Sequence, residues 1–441
     1  MKLSVFQNKH FKENATNIFG NFLVKGANIV FALYFACVMT GAEFGKASTF
    51  MAYAAVLATV IGLNLYSSLE AGKEFFKEEY RNYKSAVLSL SIISTLVISA
   101  AGLIFAAPLS EIMHLPKDSI VLLFVYSSCM SIYMFFHHEY ISAFDYMGSF
   151  LASAFDIFLG FAMGLVLLNF VIPQHKVMAK EIGVTIPLII IAIYVMVKTF
   201  TRGKRLVSKE FWRFALAISL PNIVYIVSQD IIAYSDRIFI SQYFGYEKVG
   251  IYSVVHYLGL FMTLLWSGAN GFWTPWLFEK LSKGENEVIN NNLKKYLTAF
   301  STLTVISCAI LPLTIKYVMP SAYIDGIKIV VPIVLSGFFM CLYSMMANLE
   351  FYHKKGKYIV FSTVGAAAVD IILNLIFIKA YGYEAAAYTT LAGCVMMFLL
   401  HTIVSHKILK IDVYRLRYFV LSIVVTCALC TVVGILWVQF M

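Results

Sequence analysis

Thirteen apolar stretches of about 20 residues recur along this chain, at roughly 15–39, 47–69, 85–107, 119–141, 150–171, 183–200, 212–238, 250–273, 296–318, 327–350, 358–378, 384–404 and 418–440. About 20 apolar residues is the length an α-helix needs to cross the hydrocarbon core of a bilayer. Backbone amides in lipid must be satisfied within their own segment, so each stretch is expected to be a helix. The composition agrees: 60% of the 441 residues are apolar and only 13% charged, against roughly 25% charged in soluble domains. A water-soluble fold is excluded, and the connections are too short to hold a soluble catalytic domain.

The net charge of +10 would suggest nucleic acid in a soluble protein, but its placement points elsewhere. With the N-terminus inside, 24 Lys and Arg fall on inside segments and eight on outside loops, while Lys25 and Arg237 lie within or at the edge of spans. That threefold excess sets the orientation by the positive-inside rule. The basic segment before Ala15 resembles a signal peptide's start, yet no small-residue cleavage site follows, so the first apolar stretch is expected to be retained. The seven cysteines all fall in apolar stretches, which argues against a disulfide framework or zinc cluster; Cys427 and Cys430 form a CxxC by chance. No cofactor motif is present.

An internal repeat is legible. Gly41-Ala-Glu-Phe-Gly45-Lys-Ala-Ser48 aligns with Tyr246-Glu-Lys-Val-Gly250-Ile-Tyr-Ser253 at an offset of 205 residues, following spans one and seven. Two six-helix halves of the same sense are therefore expected. The division is a bundle over 1–200, a basic cytoplasmic linker over 201–211, a second bundle over 212–406, and a basic loop with an additional span over 407–441. The same offset carries Lys25 onto Asp230, which places opposite charges at matching repeat positions.

Polar residues inside the spans mark the candidate site. Asn14, Asn17, Asn21, Lys25 and Asn28 project within an arc of about 80° at 100° per residue, so this stripe faces protein or water. An ionisable group at bilayer depth needs a partner or a wet cavity; Lys25 is either a site residue or a packing lock. Span seven carries a second stripe of Asn222, Tyr225, Gln229 and Asp236, flanked by Asp230 and Arg237. Adjacent helical residues point about 100° apart, so Asp236 and Arg237 are expected to take different partners. Arg237 is alternatively a snorkelling residue. His256 lies alone in span eight, Asp370 and Asn374 in span eleven, and His137, His138 and Glu139 close span four. Helix bending is expected around 268–275, Pro312 and Pro332.

The stretch from Asp230 through Asp236-Arg237, Phe244-Gly245 and Gly250-Ile-Tyr-Ser253 resembles the second-half signature of the Wzx-type O-antigen and polysaccharide flippases. These belong to the multidrug, oligosaccharidyl-lipid and polysaccharide (MOP) exporter superfamily. The basic residue in span one and the turn carrying Gly45 are similar to that family too, so the resemblance runs from about Asn14 to His406; the unpaired thirteenth span departs from it. The resemblance implies an all-α fold of two six-helix bundles in a V. It also implies a flippase, not an enzyme, in a bacterial inner membrane with its N-terminus in the cytoplasm, moving a polyprenyl-diphosphate-linked oligosaccharide for O-antigen, lipopolysaccharide or another surface polysaccharide. Polysaccharide polymerase machinery is the implied protein partner. Lys25, Asn21, Asn28, Asn222, Tyr225, Gln229, Arg237 and His256 are the candidate substrate contacts, and Asp230, Asp236 and Asp370 the candidates for a coupling proton or sodium ion. The rival within the superfamily is a multidrug or cation antiporter, which would more naturally carry a lone carboxylate than a lysine in span one. A membrane-embedded polymerase or ligase would need a sizeable outer loop, and none is present.

Overall fold

The computed structural model describes the backbone of residues 2–143 and 145–439; the side chains of residues 1–18, 21 and 146 lie outside the description. Helices α1 (Lys2–Val38) and α2 (Gly41–Ile61) are followed by α3 (Leu69–Phe76), α4 (Tyr80–Ile104), α5 (Ala106–Ile112), α6 (Lys117–Ser142), α7 (Tyr146–Val166), α8 (Lys176–Arg202) and α9 (Lys209–Ser282). The chain continues through α10 (Asn286–Tyr317), α11 (Val330–Tyr352), α12 (Gly356–Leu373), α13 (Lys379–Tyr381), α14 (Ala385–Ile403) and α15 (Leu416–Gln439). No strand occurs among the described residues. Eleven segments are long and apolar enough to cross a membrane, and α1 contributes a shorter apolar run over Phe22–Val38. Helix α9 holds two of the expected spans, joined at Gly245, whose φ of +77° interrupts the helix. All thirteen apolar stretches are thus helical, and the chain is a multi-pass membrane protein.

The chain forms two compact units that are interleaved in sequence: Met1–Gly20 with Lys46–Asp230, and Asn21–Gly45 with Ile231–Met441. Both α1 and α9 are divided between units, and the basic linker 201–211 lies inside the first.

In the first unit α8 packs on both α6 and α7. Contact with α7 is close because glycines face each other there: a Cβ on Gly183 would lie 2.5 Å from the Cα of Gly164. Small residues are how transmembrane helices approach without a hydrophobic driving force. At the ends of α4, α6 and α8, Glu139 accepts from Lys84 at 2.7 Å and has Lys198 3.9 Å away. The Lys198 ammonium lies 5.0–5.7 Å from the ring centres of Phe136, Tyr140 and Tyr194. His138 sits against the ring of Tyr66 at 4.8 Å.

In the second unit α14 packs on α11 and α12, and α10 on α11 and α15. The thirteenth span, α15, is anchored to α10 by Ser422 against Ser301 at 2.7 Å. The seven cysteines, Cys427 and Cys430 among them, are free thiols. Over 268–275 α9 is continuously helical, with Trp273 buried against Trp276 and Tyr296, and membrane helices tolerate a proline whose freed carbonyl is re-satisfied. The backbone is interrupted at Gly245 and at the end of α2, where Leu63 and Asn64 take left-handed φ values of 53° and 48°.

Candidate functional site

Lys25, on α1, is exposed, and its Nζ donates to Ser267 Oγ on α9 at 3.1 Å. Among the described residues no carboxylate lies within ion-pair distance of it. Asn28 is exposed one turn on, while the side chain of Asn21 lies outside the described residues.

The polar stripe of span seven is split between the units. On the first-unit side Asn222, Tyr225, Gln229 and Asp230 are half-buried; Gln229 Nε2 donates to Tyr225 Oη at 3.0 Å, and Asp230 Oδ2 accepts from Thr59 Oγ1 at 3.3 Å. Asp236 and Arg237 belong to the second unit.

There the chain builds a buried polar network across α9, α12 and α14. Asp236 and Arg237 are 1% and 3% exposed. Contrary to the expectation from helical geometry, they pair: Arg237 Nη1 lies 3.2 Å from Asp236 Oδ1 and also donates to the carbonyl of Ala233 at 2.8 Å. The guanidinium is long enough to fold back across the angle between the two Cβ directions, and burial rules out snorkelling and leaves the neighbouring carboxylate as its counter-charge. The other Asp236 oxygen accepts from Tyr252, whose hydroxyl lies 3.2 Å from Thr390 Oγ1. Asp370 Oδ2 accepts from Ser235 Oγ at 2.9 Å and Asn374 Nδ2 at 3.0 Å, and Asn374 in turn accepts from Thr389. Asp370 Oδ1 has no protein partner. Opposite it stands Gly393, where a Cβ would lie 3.0 Å from that oxygen. His256, half-buried, stacks on Tyr252 at 6.2 Å. The structure thus gathers Asp236, Arg237, His256 and Asp370, and leaves Asp230 in the other unit. No group of three or more His, Cys, Asp or Glu side chains suited to a metal occurs among the described residues.

Sequence reasoning missed a second buried ionisable pair. Glu350, closing α11, and His401, near the end of α14, are both 0% exposed; His401 Nδ1 lies 3.1 Å from each Glu350 oxygen, and Ser405 donates to Oε1 at 3.1 Å. Each stands near the end of an apolar stretch, where a charge looks interfacial.

Buried polar networks among more than ten apolar helices belong to a polytopic membrane protein, and comparison with solved structures specifies its fold. The chain is similar to the lipid II flippase MurJ in an inward closed conformation, with a TM-score of 0.71 at 14% identity over 96% of each chain. It is also similar to an inward-facing MATE-family multidrug resistance transporter of the MOP superfamily, with a TM-score of 0.59 at 12% identity over 89% of this chain and 96% of that one. A variant of the Vibrio cholerae MATE transporter VcmN gives 0.57 at 10% identity over 90% and 95%. The fold is that of the MOP superfamily. Residues 12–281 match the family model described as polysaccharide biosynthesis protein, and the chain belongs to that family. No curated protein matches it by sequence.

Proposed function

We propose that the protein is a flippase that carries a polyprenyl-diphosphate-linked oligosaccharide, an O-antigen or other surface polysaccharide repeat unit, across the bacterial cytoplasmic membrane by alternating access. The observation that carries this reading is the state of Lys25. Its ammonium is held by a hydroxyl and, among the described residues, not by a carboxylate, so its charge is left over for a guest, and a diphosphate is an anion that must leave water. Asn28 lies exposed one turn on from Lys25 in the second unit, and in the first unit Asn222, Tyr225 and Gln229 carry amides and a ring face of the kind sugar hydroxyls require. The 24 inside against eight outside Lys and Arg support an N-terminus in the cytoplasm, and the lipid II flippase of similar fold supports a lipid-linked cargo.

For coupling, the network around Asp236 and Asp370 is the place for a proton or sodium ion. Asp370 Oδ1 is buried with no protein partner, and Asn374, Thr389 and Thr390 belong to the same hydrogen-bonded network. The repeats at 1–200 and 212–406 supply the two bundles, and polysaccharide polymerase machinery would receive the product. A cation antiporter of the same fold is the second reading; the lysine in α1, where such a carrier would place an acid, disfavours it. Deleting the gene should cause lipid-linked repeat units to accumulate on the cytoplasmic leaflet, with restoration by the wild-type gene. Normal surface polysaccharide in the deletion strain would overturn the proposal.

A further inference from the structure

The end of α2 leaves more buried polar groups unmatched than a membrane helix ordinarily carries. The helix stops at Ile61, Leu63 and Asn64 turn left-handed, and a short 3₁₀ turn over Leu65–Ser68 follows. Irregular backbone inside a membrane protein is tolerated where protein or a polar cavity re-satisfies it, and here α4 and α6 do part of that work. Ser94 donates to the carbonyl of Ile61 at 2.9 Å, with Thr95 at 3.5 Å, and Ser91 donates to that of Gly62 at 3.4 Å. Gly62 has no room for a side chain because the Ser131 and Ser91 hydroxyls occupy its place, 1.7 and 3.0 Å from where a Cβ would stand.

Three polar atoms at the break remain without a protein partner: both amide ends of Asn64, which is 0% exposed, and the buried hydroxyl of Ser131. A buried polar group left unpaired is costly. We propose that the break in α2 binds a monovalent cation in the first unit. The hydroxyls of Ser91, Ser94 and Thr95 give their protons to carbonyls and keep their lone pairs, so the groups around the break are mostly oxygen acceptors. The carbonyl end of a helix carries partial negative charge, which adds to the pull of these hydroxyl oxygens and of the unpartnered Asn64 amide oxygen on a cation. Asp230 is held by Thr59, three residues before Gly62, and Tyr66 just beyond the break bonds the same Thr59, so a carboxylate flanks the site without lining it. Divalent ions favour carboxylate ligands; a neutral oxygen set beside one flanking acid suits a single charge.

Binding at this break stands independently of the flippase reading; only its use as a second coupling site rests on that reading. The test is equilibrium binding of ²²Na⁺ to the purified full-length protein, with K⁺ and choline as competitors, for wild type, Asn64→Gly, Ser131→Ala and Asp370→Asn. Glycine keeps the left-handed backbone and removes the amide. Asn64→Gly should lose one Na⁺ site, and Ser131→Ala should weaken that site at least tenfold, in folded protein as judged by melting. Asp370→Asn should leave it intact, which separates this site from the network in the second unit. Unchanged Na⁺ binding in both Asn64→Gly and Ser131→Ala, or no binding by wild type, would overturn the proposal and leave the break hydrated only.

Discussion

Gly45 and Gly250 stand in reciprocal positions: a Cβ on Gly45 would lie 1.8 Å from the carbonyl oxygen of Tyr246, and one on Gly250 would lie 2.1 Å from that of Gly41. Residues 41 and 246, like 45 and 250, are separated by the 205-residue offset of the repeat. Each glycine is therefore covered by the repeat mate of the residue that covers the other, which is the signature of a local two-fold relation within the second unit. The backbone breaks match as well, since Gly245 interrupts α9 at the position that Thr40 occupies between α1 and α2. Lys25, on α1, bonds Ser267 on α9 beyond Gly245, and Asp230, on α9 before Gly245, bonds Thr59 on α2.

Substituting either glycine should be equally disruptive. Gly45→Ala and Gly250→Ala each force backbone atoms apart, and overpacking of this kind costs about 1–3 kcal/mol or more. Gly41→Ala is the control, because its Cβ would meet only ordinary contacts at 3.7 and 4.0 Å. Melting of the detergent-purified variants should show matched losses for the first two and a small change for the third. A harmless Gly250→Ala would contradict the close crossing.

Lys25→Ala should abolish export of surface polysaccharide while the protein still reaches the membrane, and Lys25→Arg should retain part of it, since charge survives while geometry changes. Ser267→Ala should have a smaller effect, because it removes an orienting hydroxyl and no charge. Full export by the alanine variant, measured in a deletion strain, would remove the anion-binding role.

Asp236 and Asp370 should separate under substitution. Asp236→Asn leaves the buried Arg237 without its counter-charge, and breaking a buried pair costs about 3–5 kcal/mol. Asp370 is bonded by the neutral Ser235 and Asn374, so Asp370→Asn should melt much closer to wild type. If Asp370 holds the coupling ion, its asparagine variant should also transport less and respond weakly to the ion gradient. A stable Asp370→Asn protein with normal gradient dependence would move coupling elsewhere.

The helix inventory was legible because hydropathy and span length are local properties: every apolar stretch became a helix. Lys25 and Asp370 were legible for the same reason, as lone charges in apolar surroundings. Partnerships were not. Ser235 and Asp370 are 135 residues apart, and no periodicity reports such a meeting. The Asp236–Arg237 pair was misjudged by treating side chains as rigid spokes, when a buried guanidinium bends toward the nearest carboxylate. The break in α2 was hidden because Gly62-Leu-Asn64 lies inside an apolar run, where one asparagine looks like another stripe residue. Division of α1 and α9 between units depends on contacts made far along the chain, and a repeat boundary in sequence does not report it.

Glu350 and His401 provide a test of how much a buried ionisable pair stabilises the second unit. The pair ties α11 to α14, with Ser405 as third member, and its burial leaves neither residue access to water. His401→Leu strands the carboxylate with a single hydroxyl, so it should destabilise by about 3–5 kcal/mol. Glu350→Leu should do likewise, because the imidazole loses its acceptor. In the double variant, two leucines pack without an unmet charge, and replacing a buried pair by apolar residues is often neutral or stabilising. The double-mutant cycle, read from melting or denaturant midpoints, should therefore show strong non-additivity, with the double variant more stable than either single one. Additive losses would mean that the two side chains do not interact as the structure shows.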